Sequence, residues 1–103
     1  MFVSGEYCPL EVFEASCRAD EVILIEHARF GVMRVGGCIK SDLGQVGCGA
    51  DVTYILDDVC SGRRECALRV GERNMKERSS CVDGLEQYLV ANYSCRKGNL
   101  AIF

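Results

Sequence analysis

The sequence is poor in histidine and in net positive charge, which several function classes need. It contains a single histidine, and its 12 basic residues are outnumbered by 15 acidic ones, which gives a net charge of −3. A nucleic-acid binder needs a basic surface that neutralises phosphates, so this balance argues against that class and against attraction to an anionic membrane. The sequence also has no run of about 18 apolar residues, so no membrane-spanning helix is predicted.

A secretory leader is not recognisable either. The segment Met1–Leu10 carries Glu6, Cys8 and Pro9 where a leader has a long apolar stretch. We therefore expect the chain to be a mature protein or an ectodomain taken from a longer one.

Cysteine, in contrast, is abundant. The eight cysteines lie at positions 8, 17, 38, 48, 60, 66, 81 and 95 of the 103 residues. An even, high count in a short chain is typical of a disulfide framework. Zinc sites usually separate paired cysteines by about two to four residues, whereas the closest pair here, Cys60 and Cys66, is separated by five. We predict four disulfides, an oxidising extracellular location, and no metal or cofactor; on the order of 100 pairings stay open.

Apolar patterning predicts a small antiparallel α+β domain. The run Val22–Ile25 lies inside a strand predicted over Glu21–Ala28, and Gln87–Cys95 alternates as a long strand does. Two further segments have extended character, namely Leu10–Cys17 and the alternating Cys66, Leu68 and Val70. Gly31 is predicted to interrupt regular structure.

One main helix is predicted over Asp51–Cys60. Asp51 is a natural N-cap, and four apolar residues share one face of this helix, namely Val52, Ile55, Leu56 and Val59. Gly62 is suited to the positive φ that ends a helix.

The predicted organisation is one domain over residues 1–103, with its core between Cys8 and Cys95. Outside that core the ends are predicted to be loose, over Met1–Glu6 and Arg96–Phe103. Within it, the polar stretch Gly71–Asp83 is predicted to be irregular.

Several segments, taken in order, resemble one family. They are Ala28-Arg29-Phe30-Gly31, the helix that ends in Cys60-x5-Cys66, Arg78-Ser79-Ser80-Cys81, and Tyr88-Leu89-Val90-Ala91-Asn92-Tyr93-Ser94-Cys95. With the eight cysteines they resemble the sea-urchin-egg-lectin type of domain, also called the rhamnose- or galactose-binding lectin domain. That family occurs in egg lectins, in latrophilin-type receptors and as an appended domain of plant β-galactosidases. The resemblance implies the disulfides Cys8–Cys38, Cys17–Cys95, Cys48–Cys81 and Cys60–Cys66.

The resemblance also implies a small polar sugar site, which this sequence alters. Pro9 stands where the family has a glutamate after its first cysteine, and A-N-Y-G-R has become Ala28-Arg29-Phe30-Gly31-Val32. An Asp-Pro pair is replaced by Ser79-Ser80, and Gln87 stands where a lysine is expected. Losing two or three charge-assisted hydrogen bonds, at about 1.5–3 kcal/mol each, removes a weak monosaccharide site. The candidates for a rebuilt site are Phe30, Asp83, Gly84, Glu86 and Gln87, with Glu11 near Cys8 as a further one.

These observations favour a recognition or adhesion module of a secreted or cell-surface protein, which binds a protein or a non-standard glycan. Two alternatives stay open. One is a functional L-rhamnose or D-galactose lectin, and the other is an accessory domain of an extracellular glycosidase, which the A-x-F-G variant at Phe30 supports. Catalysis is not expected, because no nucleophile is free to pair with His27. Asn92-Tyr93-Ser94 is an N-glycosylation sequon, so Asn92 is a candidate attachment site.

Overall fold

The described part of the chain forms six strands and two helices. The computed structural model describes residues 2–40, 46–82 and 84–98. In chain order the elements are β1 (Phe2–Tyr7), β2 (Val12–Ser16), β3 (Glu21–Val32), β4 (Cys48–Asp51), α1 (Thr53–Cys60), β5 (Glu65–Arg69), α2 (Met75–Arg78) and β6 (Tyr88–Lys97). A four-stranded antiparallel sheet has the order β1-β6-β3-β4, and β2 pairs with β5 in a second sheet. The predicted fold class, a small disulfide-rich antiparallel domain with one main helix, is confirmed.

The two long strands at the centre of the larger sheet follow the apolar pattern. Alternate residues of β6 are buried as predicted, namely Leu89, Ala91, Tyr93 and Cys95. β3 continues to Val32, four residues beyond the predicted end at Ala28, because both β4 and the start of β6 pair with its second half. The strand that the pattern predicted is therefore extended by pairing that the pattern cannot show.

Gly31, predicted to interrupt regular structure, lies inside β3. A Cβ at this position would lie 2.3 Å from the backbone oxygen of Cys48 and 2.5 Å from the Cα of Gly49. Glycine leaves room for this close approach of two backbones. The glycine of the Ala28–Gly31 motif is thus a packing requirement between β3 and β4.

The buried core joins the inner face of the larger sheet to α1, α2 and the β2–β5 pair. Phe13 of β2 is fully buried at its centre. Its ring centroid lies 5.0 Å from that of Tyr7 and 6.1 Å from that of Tyr93, both edge-to-face. Edge-to-face pairs add to the stabilisation that burial gives, so Phe13 fixes the smaller sheet against the larger one.

α1 begins two residues later than predicted, and the prediction of Asp51 as its N-cap is wrong. Asp51 is the last residue of β4, where it pairs with Arg29, and the N-cap is Val52. Because pairing with β3 keeps Asp51 extended, the backbone turns only after it. Asp51 still accepts a hydrogen bond from the Thr53 N–H at 2.9 Å.

The rest of the helix prediction agrees with the structure. The apolar face is buried at Val52, Ile55 and Leu56, and Val59 packs partly buried against the core. α1 ends at Cys60, and Gly62 takes a φ of 84°.

Two segments predicted to be loose or irregular contain regular structure. β1 covers Phe2–Tyr7 and pairs along its whole length with β6, which corrects the prediction for Met1–Glu6. Within Gly71–Asp83, the short helix α2 is anchored by the fully buried Met75. Both elements are held by tertiary contacts. The sequence does not predict them, because neither is long enough to show a clear apolar period. At the other end, Arg96 and Lys97 continue β6, and residues 99–103 lie outside the described residues.

Four disulfides pair all eight cysteines. They are the pairs that the resemblance implies, with Cα–Cα distances between 5.0 and 5.7 Å: Cys8–Cys38, Cys17–Cys95, Cys48–Cys81 and Cys60–Cys66. Cys17–Cys95 has the largest sequence separation, 78 residues, and joins the end of β2 to β6. Cys60–Cys66 has a sequence separation of only 6 residues and joins the end of α1 to β5.

Candidate functional site

A cleft of about 350 Å³ lies beside the start of β6. Four separate segments line it: Pro9 and Leu10 before β2, Phe30 of β3, Val70, Gly71 and Lys76 between β5 and the end of α2, and Gly84–Gln87 before β6. Clefts with a few convergent polar groups are the usual place for a small ligand.

The structure brings four of the five predicted site residues into this cleft. They are Phe30, Gly84, Glu86 and Gln87. The fifth, Asp83, lies outside the described residues. Glu11, the further candidate, does not line the cleft, because its carboxylate accepts a hydrogen bond from the Cys8 N–H.

Phe30 lies beneath the cleft and is buried in the core. Its side chain alternates with those of Ala28 and Val32 on the buried face of β3, and only 1% of Phe30 is exposed. The ring therefore forms the floor of the cleft from the core side, and it offers almost no free face to a ligand.

Among the residues that line the cleft, Gln87 carries the most unusual polar group. The residue is only 8% exposed, and its Oε1 is buried without a hydrogen-bond partner among the described residues. Leaving such an acceptor unpaired costs about 1–3 kcal/mol. Buried polar groups are normally paired, so an unpaired one needs an explanation such as a ligand that supplies the missing donor.

Leu10 is a cleft residue that the sequence analysis missed. It lies in a turn closed by a hydrogen bond from the Glu11 N–H to the Cys8 oxygen at 3.0 Å, with Pro9 at the second position. Its φ is 73°, the left-handed value of the third position in a type II turn, where glycine or asparagine is usual. A left-handed residue with a Cβ costs roughly 1–2 kcal/mol, yet 82% of Leu10 is exposed. Pro9 signals the turn, but no sequence signal marks a strained leucine.

The exposed rim of the cleft carries one charge of each sign. Lys76 of α2 and Glu86 before β6 are both exposed there. They can donate to and accept from the hydroxyl groups of a neutral polar ligand. Lys76, part of a short basic patch in the sequence, was not among the predicted site residues because the helix that presents it was not predicted.

The strain at Leu10 leads to a prediction about stability. Leu10→Gly removes the penalty on the left-handed backbone, and the side chain that is lost is mostly exposed. We expect the free energy of unfolding to rise by up to about 1 kcal/mol in urea denaturation, because added freedom in the unfolded chain offsets part of the relief. The matched control is Val12→Gly at an exposed position of β2, which should lower the free energy of unfolding by about 0.5–1 kcal/mol. Equal destabilisation by both changes would show that Leu10 is not strained.

Groups with shifted pKa values lie away from the cleft. Hydrogen bonds from Thr53 lower the pKa of Asp51. Burial raises the pKa of Tyr7, which packs against Phe13. Asn92 also lies elsewhere, half-buried on β6.

Metal-binding groups and membrane-spanning helices are both absent from the described residues. Residues 2–40, 46–82 and 84–98 contain no group of three or more His, Cys, Asp and Glu side chains placed to hold a metal ion. Neither helix in the same ranges has the length and apolarity needed to cross a membrane.

Comparison with known protein families finds a match over most of the chain. Residues 15–95 match the family described as the D-galactoside/L-rhamnose binding SUEL lectin domain. A search of curated proteins finds no match. The matched range includes Phe30, Lys76 and Gly84–Gln87 of the cleft, and it begins after Pro9 and Leu10.

Proposed function

Because the chain belongs to the D-galactoside/L-rhamnose binding SUEL lectin domain family, we propose that it is an extracellular recognition module whose cleft binds a saccharide other than free L-rhamnose or D-galactose. The resemblance seen in the sequence is confirmed by the family match over residues 15–95. A lectin-like, carbohydrate-binding module is the function that this membership implies. The altered specificity and the part in cell-surface recognition or adhesion are our proposal.

The observation that carries the proposal is Gln87, a residue of the cleft lining whose carboxamide oxygen is buried and has no hydrogen-bond partner among the described residues. A turn of this side chain toward the cleft lets a sugar hydroxyl donate the missing hydrogen bond to Oε1. Leu10, at the mouth of the same cleft, offers an apolar contact to a ring face or a methyl group. Both residues cost folding free energy in the free protein, and such costs cluster at functional sites.

Altered specificity follows from the residues that replace the family's charged sugar contacts. Pro9 has no side-chain donor or acceptor, and Val32 is buried and does not line the cleft. Gln87 is uncharged where a lysine is expected. Losing two charge-assisted hydrogen bonds removes at least about 3 kcal/mol, which is more than a hundredfold in Kd. A site of millimolar affinity for a monosaccharide becomes undetectable after such a loss.

Family membership and the four disulfides support an oxidising, extracellular location. We propose no catalytic role for the chain, and we propose a glycan in preference to a protein partner because the polar groups converge in a cleft. The alternative of a glycosidase accessory domain rests on Phe30, and packing in the core already accounts for that ring.

A glycan array tests this proposal. The oxidised protein and two variants, Gln87→Leu and Glu14→Gln, are applied to neutral, acidic and deoxy-sugar glycans. We expect the wild type to bind a subset without terminal L-rhamnose or D-galactose. Gln87→Leu should lose at least about tenfold in affinity, equivalent to one hydrogen bond, yet unfold at the same or a higher urea concentration. Glu14→Gln, at an exposed position of β2, should change neither property.

Three outcomes contradict the proposal. Unchanged affinity in Gln87→Leu would remove Gln87 from the site. Selective binding of terminal L-rhamnose or D-galactose would restore the usual family specificity. Binding to no glycan at all would leave a protein ligand as the better hypothesis.

A further inference from the structure

The outer face of the larger sheet, which points away from the core, is open at its centre. Asn92 lies there on β6, between its pairing partners Ser4 of β1 and His27 of β3. Both partners are exposed, and Asn92 itself is half-buried. The inward neighbour Tyr93 is buried, so Asn92 projects to the opposite side of the strand.

Other side chains cover the two ends of this outer face. At one end the Tyr88 hydroxyl accepts a hydrogen bond from the Arg34 N–H at 3.0 Å, and Tyr88 is fully buried. At the other end Ser94 is buried, with its hydroxyl within hydrogen-bond distance of Glu26 and Arg96. The open part of the face is thus centred on Asn92.

The carboxamide of Asn92 has a defined orientation. The Ser4 hydroxyl donates to its Oδ1 at 2.7 Å. Its Nδ2, the atom that carries the sugar in an N-linked glycan, makes no hydrogen bond with the described residues. Asn92-Tyr93-Ser94 therefore combines the acceptor sequence with an outward, unengaged acceptor nitrogen.

Phe2 supplies the second observation, because its ring is exposed on the same face. It is 61% exposed on β1, where it pairs with Ser94, two residues from the Ser4–Asn92 pair. Diagonal neighbours of this kind are about 7–8 Å apart in an antiparallel sheet, which is within reach of a sugar linked to Asn92. An aromatic ring is a suitable surface for the apolar face of that sugar.

We propose that Asn92 carries an N-linked glycan whose first N-acetylglucosamine packs on Phe2. The amide Nδ2 forms a bond to C1 of the sugar and loses one proton. The C1–O bond to a lipid-pyrophosphate-linked oligosaccharide donor breaks, and the pyrophosphate leaves with the bonding pair. The glycan covers the open part of the outer face. Gln87 is five residues earlier, about 16 Å along an extended chain, so the cleft stays accessible.

The first test is the mass of wild-type protein secreted by eukaryotic cells behind an added leader. We expect a glycan at Asn92 that peptide-N-glycosidase releases, leaving aspartate at that position. Ser94→Thr keeps the acceptor sequence and should stay glycosylated, whereas Asn92→Gln should not carry the glycan. Unmodified Asn92 in the secreted wild type would overturn the proposal, and this readout needs no variant to fold.

The contact with Phe2 has its own test. Trimming with an endoglycosidase leaves a single N-acetylglucosamine, and the urea midpoint of this form is compared with that of Asn92→Gln, with and without Phe2→Ala. We expect the single sugar to raise the midpoint with Phe2 present and to raise it less with Phe2→Ala, because contacting groups are not additive. An equal rise in both backgrounds would overturn the packing on Phe2.

Discussion

Removing the Cys17–Cys95 disulfide is expected to lower the free energy of unfolding by about 4.5 kcal/mol, against about 2.4 kcal/mol for removing Cys60–Cys66. These values follow from the loss of loop-closure entropy, because the first pair is 78 residues apart and the second only 6. The larger loss is comparable with the whole stability of many small domains, roughly 5–15 kcal/mol. The first variant should therefore be close to unfolding without denaturant.

The two double-alanine variants are matched in burial. Cys60 and Cys95 are both buried, while Cys17 and Cys66 are both half-buried, so the cavities that alanine leaves are similar. Urea denaturation of both variants, with the other three disulfides formed, measures the difference. Equal losses would contradict the loop-closure explanation and would indicate that local packing sets the contribution of each bridge.

Gly31→Ala is expected to lower the free energy of unfolding by about 3 kcal/mol, the upper part of the range for single substitutions. The added methyl group would lie 2.3 Å from the backbone oxygen of Cys48. Cys48 is tied to Cys81 by a disulfide, so β4 is not free to move away from β3. The strain must then be taken up by the pairing of these two strands.

A matched control separates contact from backbone conformation. Gly47 has a φ of 101°, but a Cβ there would meet no atom of the described residues within 4 Å. Gly47→Ala should therefore cost only about 1 kcal/mol, from the positive φ alone. Urea denaturation of the two variants gives the comparison. Similar losses in both would show that the approach of β3 to β4 is not what requires Gly31.

The parts of the fold that the sequence predicts are those with a strong local pattern. The mostly β-branched run Val22–Ile25 and the alternation in β6 indicate the central strands directly. β1 and α2 have no such pattern, since β1 is held by pairing with β6 and α2 by burial of Met75. The start of α1 was misplaced for a similar reason, because β3 keeps Asp51 in an extended conformation.

The candidate site likewise contains residues that the sequence could indicate and residues that it could not. Gly84, Glu86 and Gln87 could be proposed because the resemblance to the family implies a sugar site in this segment, and all three line the cleft. Leu10 and Lys76 could not, since they reach the cleft through a strained turn and a short helix that only the folded chain brings together. Phe30 lines the cleft, but its burial, which makes it a floor instead of a contact surface, depends on packing around β3.

A chemical-shift titration of the isotope-labelled, oxidised protein tests the cleft most directly. The saccharide that binds best on the array is titrated in parallel with L-rhamnose and D-galactose. We predict shifts for the array saccharide at Leu10, Lys76 and Gly84–Gln87, and no shifts for the two monosaccharides up to ~20 mM, which corresponds to binding much weaker than a Kd of about 1 mM. Shifts confined to residues outside the cleft, or saturating shifts at the cleft with L-rhamnose or D-galactose, would contradict the assignment of an altered saccharide site.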